Sequence, residues 1–349
     1  MKTFNINSLI RENIKNMKPY SSARDEFKDF DQEMVFLDAN ENPNENGVNR
    51  YPDPQQKSVK LALSEIKKVP STQILLGNGS DEVLDLLFRA FCEPNKDNII
   101  TLPPTYGMYG VLANLNAIEN REVVLNEDFE PQVDEILAKV DSNTKMIFLC
   151  SPNNPTGNSF PDESIVTLLK NFNGIIVLDE AYIDFSNKES WLQEINDYPN
   201  LVITQTLSKA YGMAGIRLGI LYASLEINSV LNKIKPPYNV NILTQSKALE
   251  YLENQEFINN QIIEIKDQRN LVYGQLLNTN FVKEIYRTDA NFILCKVDNA
   301  DERYNQILEK GIVVRNRTND ALCENCLRIT IGTESENQKL IEVLKQLDI

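Results

Sequence analysis

Lys209 stands in TLSKAYGMAGIRLGI (206–220), directly after an apolar run and among Ser, Gly and Ala, with no other charge until Arg217. Lysines are ordinarily solvated surface groups. One held at the end of a central strand is instead a candidate Schiff-base nucleophile, because burial and neighbouring cations lower its pKa and free the amine for attack. In GIIVLDEAY (174–182) a second apolar run delivers Asp179 and Glu180 to its carboxyl end, the edge at which open α/β sheets bind ligands. Such a carboxylate caps a following helix in the bland reading; in the functional one it keeps a ring nitrogen protonated. SPNNPTG (151–157) is a turn-rich loop after KMIFLC, and Asn154 there could donate an uncharged hydrogen bond to a phenolic oxygen. GNGSDEVLDLL (77–87) feeds a helix, with Ser80 or Asp81 as a plain N-cap. Free backbone N–H groups at that helix start would also bind an anion, and Ser208 and Arg217 could donate to the same phosphate.

Composition removes several other chemistries. The chain contains no histidine, so Ser-His-Asp and Cys-His catalysis, His-ligated metals and imidazole acid/base chemistry are excluded together. Proton transfer falls to Lys, Tyr, Asp, Glu or Cys. The five cysteines are too sparse for a disulfide framework in 349 residues and fit a reducing compartment. Cys323 and Cys326 form a C-x-x-C, yet no second pair completes a four-ligand zinc site, and no metal is expected. A formal net charge of −15 argues against broad binding to nucleic acid or an anionic membrane. No run reaches the roughly 18–20 apolar residues of a membrane helix, and the start lacks the apolar core of a signal peptide. A cytoplasmic location is the default expectation.

The elements that must position these groups follow from periodicity. Between about 73 and 222, short apolar runs (QILLG, NIITL, REVVL, KMIFLC, GIIVLDE, LVITQT, IRLGILYA) alternate with helix-like stretches, which predicts a mostly parallel α/β sheet with helices on its faces. Val83, Leu84, Leu87, Ala90 and Phe91 share one helical face, and 162–170 reads as a helix after Pro161. The charged, helix-compatible region 225–275 is expected to bridge two domains. FVKEIY, ANFILCKV, a helix near 301–310, GIVVR, CLRITIG and a closing helix from about 335 predict a small α+β domain. The expected organisation is an arm (1–35) joined to the small domain, a large domain (36–255) and the small domain (256–349).

In the order GNGSDE, PTYGMY, SPNNPTG, LDEAY, TLSKAYGMAGIRLG and LRITIG, these motifs resemble the fold-type I pyridoxal-phosphate aminotransferases over essentially the whole chain. LDANENP (38–44), RYPDPQ (50–55) and NMKPYSSAR (16–24) further resemble the histidinol-phosphate aminotransferase family. The resemblance implies pyridoxal 5'-phosphate as cofactor, with Lys209 as its Schiff-base lysine, Asp179 as partner of the pyridine nitrogen, and Tyr182 and Asn154 as partners of the phenolic oxygen. It makes Tyr106 the aromatic that stacks on the ring. Ser80 and Asp81, through their amides, with Ser208 and Arg217, become the phosphate cup. Tyr51 resembles a tyrosine lent by the other subunit of a homodimer, and Tyr20, Asn154, Arg315 and Arg328 are the implied substrate-binding groups. The implied reaction is ping-pong exchange between L-histidinol phosphate and 2-oxoglutarate, yielding imidazole-acetol phosphate and glutamate, in histidine biosynthesis. Another aminotransferase of aromatic or broad specificity, or a threonine-phosphate decarboxylase-like lyase, would keep the same cofactor set.

Overall fold

The computed structural model describes residues 4–20 and 35–348. The seven apolar runs form one sheet: β1 (Ile74–Asn78), β2 (Asn98–Thr101), β3 (Glu119–Glu122), β4 (Thr144–Cys150), β5 (Ile175–Asp179), β6 (Leu201–Thr206) and β7 (Leu218–Ala223). Their order is β1-β7-β6-β5-β4-β2-β3. All are parallel except β7, which runs antiparallel between β1 and β6.

The central strands are apolar on both faces because both are covered, as a parallel sheet requires. On one face Ile147, Leu149, Ile176, Leu178 and Ile203 join a core with the helices Lys57–Lys67 and Asp162–Asn171. On the other, Met146, Phe148, Ile175, Val177 and Val202 pack with the helices Ser80–Phe91 and Leu225–Ile234. Val83, Leu84, Leu87, Ala90 and Phe91 are fully buried, as their shared face predicts; a large apolar side chain so buried contributes roughly 1.5–3 kcal/mol.

A second, antiparallel sheet has the order β10-β11-β9-β8, from β8 (Val282–Ile285), β9 (Phe292–Val297), β10 (Arg315–Asn316) and β11 (Cys326–Thr330). Its two faces have different neighbours. Ile293, Cys295, Leu327 and Ile329 pack with the helices Ala300–Glu309 and Glu334–Leu347 in a small core, while Phe292, Leu294 and Cys326 pack into the large one. The closing helix starts in a capping box between Thr333 and Glu336.

Four local readings change. The region 225–275 is three helices, Leu225–Ile234, Ile242–Leu252 and Gln255–Leu276. Pro236 and Pro237 break the first from the second, since proline lacks the N–H and clashes with the preceding turn, and Asn241 and Asn254 cap the next two. The third carries the bridging role: Ile258 lies in the large core, and Val272 and Leu276 lie in the small one. GIVVR pairs only from Arg315, its Val313 being 77% exposed. REVVL is paired earlier, over Glu119–Glu122, although Val123 and Leu125 stay buried. Finally, the arm does not join the small domain where it is described. Leu9 and Ile14 pack against the large sheet's helices, and the Arg11 N–H donates to Ala90 O at 3.1 Å. Residues 21–24 of the NMKPYSSAR segment lie outside the described residues.

Candidate active site

Five chain segments meet at the carboxyl edge of the large sheet, and one cavity is lined by Ser80, Asp81, Tyr106, Cys150, Asn154, Asp179, Tyr182, Thr206, Ser208, Lys209 and Arg217. Because β7 is antiparallel, its beginning, with Arg217, lies at the edge where its neighbours end. Two glycines allow the tight join there. Gly79 holds φ at +78°, and a Cβ on Gly219 would stand 2.3 Å from the Ser80 nitrogen. Gly79, not Ser80 or Asp81, is the N-cap of the helix Ser80–Phe91, and no side chain caps it. The Ser80 and Asp81 N–H groups at its first turn have no intrahelical acceptor, and both residues line the cavity.

Asp179 is only 4% exposed. Its carboxylate accepts from Tyr109 Oη at 2.7 Å and from the Ala181 N–H at 3.2 Å. Burial raises its pKa, and these donors oppose the rise. Such a carboxylate gains from a cationic partner. Glu180, the adjacent acid, faces elsewhere: it is buried and accepts from the Trp191 N–H at 2.8 Å and Gln205 Nε2 at 3.0 Å, which ties β6 to the 190–191 loop. The two carboxylates of one motif thus separate into a pocket group and a structural one.

Lys209 follows β6 in a turn closed by the Gly212 N–H donating to Lys209 O at 3.0 Å. It is more open than its motif predicts, being exposed and part of the cavity lining. Its amine is nonetheless shifted below the ordinary lysine range. Partial desolvation is the first cause and the Arg328 charge the second, with Arg217 adding to them and Asp179 and Asp81 opposing. Nζ stands 5.6 Å from the centre of the Tyr182 ring. Tyr182 is buried, edge-on to Phe292, and its hydroxyl is pushed up in pKa by that burial.

Tyr106 Oη donates to Asp81 Oδ1 at 3.1 Å, and Arg217 Nη2 lies 3.9 Å from Asp81 Oδ2. The Asp81 side chain is thereby turned onto two neighbours while its amide remains at the helix start. Asn154 accepts from Arg328 Nη1 through Oδ1, which leaves its Nδ2 as the donor for a phenolic oxygen and joins the small sheet to the pocket. Arg315 sits directly opposite Arg328 in the β10–β11 ladder.

Tyr20, Tyr51 and the exposed Arg315 do not line this cavity within the chain, and Arg328 reaches it through Asn154. Tyr20 is 74% exposed. Tyr51, 51% exposed, stacks on Tyr238 at 4.5 Å beside a separate groove that includes Val48, Ile242 and Leu243. Tyr109 was the residue that sequence reasoning missed. It lies in PTYGMY but reads there as an apolar helix position; its partner Asp179 is 70 residues away.

The donor set fits pyridoxal phosphate on chemical grounds: helix-start amides, a serine and an arginine for a dianion, a buried carboxylate for a ring nitrogen, Asn and Tyr for a phenolate, and one depressed amine. Residues 23–344 match the family described as aminotransferase class I and II. The histidinol-phosphate aminotransferase of Flavobacterium johnsoniae is 69% identical over 349 residues, covering 100% of both chains. Among solved structures, the histidinol-phosphate aminotransferase from Clostridium acetobutylicum aligns at a TM-score of 0.80 and 26% identity, over 86% of this chain and 91% of that one. L-threonine-O-3-phosphate decarboxylase from Porphyromonas gingivalis aligns at 0.72 and 25% identity, over 85% and 93%. The chain belongs to the class I and II aminotransferases, in the fold-type I architecture, and within them to the histidinol-phosphate aminotransferase family.

Proposed function

We propose that this chain binds pyridoxal 5'-phosphate and transfers the amino group of L-histidinol phosphate to 2-oxoglutarate, giving imidazole-acetol phosphate and glutamate, in histidine biosynthesis in the cytoplasm. The observation that carries the reading is the cross-strand pair Arg315 and Arg328, with Arg328 bonded to Asn154 beside Lys209. Histidinol phosphate has no α-carboxylate. Its phosphate, at about −1.5 to −2 charge near neutral pH, must be gripped where other aminotransferases hold a carboxylate, and two arginines match that charge better than one. Identity of 69% to the Flavobacterium johnsoniae aminotransferase against 25% to the decarboxylase favours transfer over carbon dioxide release.

When bound, the cofactor supplies an electron sink for the pair left on the substrate carbon. Asp179 holds the positive charge at the pyridine nitrogen, and Tyr109 holds Asp179. Asn154 and Tyr182 donate to the phenolic oxygen, while Tyr106 covers the ring. The amides of Ser80 and Asp81, with Ser208 and Arg217, hold the phosphate. Lys209 Nζ would hold the cofactor covalently and, when free, would be the group placed to take up and return the proton of the substrate carbon. Glutamate uses the same groups in the second half-reaction, its α-carboxylate on Arg328, which makes the kinetics ping-pong.

The proposed assembly is a two-fold homodimer in which each subunit gives one Tyr51 to its partner's pocket. The place of Tyr51 in a separate groove, and not in this chain's own cavity, supports that exchange. Mixing inactive Tyr51→Ala and Lys209→Ala proteins should restore activity through hybrid dimers; an active monomer in sedimentation would end the idea. For the reaction itself, histidinol phosphate, an aromatic amino acid and threonine phosphate are each assayed with 2-oxoglutarate. A kcat/KM for histidinol phosphate on the order of 100-fold above the others, about 2.7 kcal/mol, is expected. Equal use of the aromatic amino acid, or carbon dioxide release from threonine phosphate, would overturn it.

A further inference from the structure

The ladder that opposes Arg315 to Arg328 runs one step further. The Arg317 N–H donates to Cys326 O at 2.9 Å, so Arg317 lies opposite Cys326 as Arg315 lies opposite Arg328. Side chains of opposed residues share a face, and alternate residues along a strand do too. Residues 315, 317, 326 and 328 therefore point the same way. That way is toward the large domain: Cys326 packs in the large core and Arg328 reaches Asn154, whereas Leu327 and Ile329 fill the small core behind.

Arg317 is the better sheltered of the two arginines of β10 and its extension, with 18% of its side chain exposed, whereas Arg315 is an exposed residue. It is fixed by an ion pair with Asp320. Asp320 and Ala321 in turn line a cleft with Tyr106 and Tyr109, so the anchor sits beside the ring-covering tyrosine. Three like charges on one sheet face repel one another. Among the described residues, Arg317 Nε, Arg328 Nε and Thr318 Oγ1 are buried with no hydrogen-bond partner, and burying polar atoms in that state is unfavourable. Burial, and then the Arg317 and Arg315 charges, disfavour the Arg328 cation, against Tyr182 and Asp320. Arg315, Arg317, Arg328 and Lys296 against Asp320 and Glu284 leave a formal charge of +2 on this face, the complement of a phosphate dianion.

We infer that Arg317 is a third cation for the phosphate end of the substrate, a specificity-determining residue held in place by Asp320. The inference rests on the proposed function, since it needs a phosphorylated amine as substrate. Glutamate brings only monoanionic carboxylates and has less use for it.

The test uses the full-length, cofactor-loaded protein as wild type, Arg317→Gln, and the double variant Arg317→Gln/Asp320→Asn, which leaves no unpaired acid. The two half-reactions are followed separately by stopped-flow absorbance, and inorganic phosphate binding is measured by calorimetry. Losing one charge-assisted bond predicts a loss of roughly tenfold or more in kcat/KM for histidinol phosphate, carried by KM, in both variants. Phosphate binding should weaken in parallel, and the glutamate half-reaction should stay within about threefold. Equal losses for both substrates, no loss for either, or recovery of wild-type KM in the double variant would overturn the role of Arg317. If the wild type shows no preference for the phosphorylated amine over L-histidinol, the proposed function fails first, and this inference with it.

Discussion

The two surfaces that meet at the pocket are built differently. The edge of the large sheet presents groups fixed by burial and hydrogen bonds: Asp179 is held by Tyr109 and Ala181 at the end of a strand buried throughout, and Lys209 by a closed turn after β6. The face of the small sheet presents cations instead: Arg315 on a two-residue strand, Arg317 in the loop after it, and Arg328 on the neighbouring β11. Reaction chemistry needs a few atoms held within a fraction of an ångström, which a buried parallel sheet supplies. Recognition of a mobile phosphate needs charge, which a partly open antiparallel edge supplies without burying an unpaired ion in the core.

Breaking the first surface should have the largest effect. Asp179→Asn removes the buried charge proposed to pair with the ring nitrogen while keeping shape, and should lower kcat by on the order of 10²–10³-fold, the size seen on removing one preorganised partner of a developing charge. A loss under tenfold, about 1.4 kcal/mol, would contradict that role. An intermediate effect tests the coupling between the surfaces. Arg328 lowers the pKa of Lys209 and Asp179 raises it, so Arg328→Gln should move the titration of Lys209, read as the pH dependence of covalent cofactor capture by the apoprotein, to higher pH. Asp179→Asn should move it lower. A shift in the opposite direction for either variant would show that the charges do not act on Nζ as described.

The smallest effect is expected at the C-x-x-C. Cys323 and Cys326 are fully buried in the large core, and the Cys323 thiol is pushed up in pKa by its hydrogen bond with Cys326 and by burial. They act as packing under the arginine loop. Cys323→Ser should leave both half-reactions within about twofold while lowering the thermal midpoint; a tenfold fall in turnover with an unchanged midpoint would give the pair a direct part in the chemistry.

The pocket groups of the large sheet were legible in the sequence because each sits at the end of an apolar run, and the order of strands against helices forces those ends to one edge. Lys209, Asp179, Asn154 and Ser80 all follow that rule. Tyr109 was not legible, since an aromatic at helical spacing reads as core, and only the tertiary fold brings its hydroxyl to Asp179. Arg317 was hidden for a related reason: its face depends on the β10–β11 register, which a two-residue strand does not announce. Helix breaks at Pro236 and Pro237 were written in the chain but were outweighed by the charged, helix-compatible composition around them. The docking of Leu9 and Ile14 on the large domain has no local signal at all, because any apolar groove would satisfy them.

The central claim is that Lys209, and no other lysine, is the group that joins the cofactor. Lys60 is the sharpest competitor, being nine-tenths buried, with its pKa lowered to about 8 by burial and by Lys235. It lies in a different cleft, with Ser71 and Asn228. The deciding measurement is borohydride reduction of the cofactor-loaded protein followed by peptide mass spectrometry. One reduced cofactor per chain, on the peptide that carries Lys209, and none in Lys209→Ala, is the result expected. A stoichiometric adduct on Lys60 or any other lysine, or an unchanged adduct in Lys209→Ala, would contradict the account.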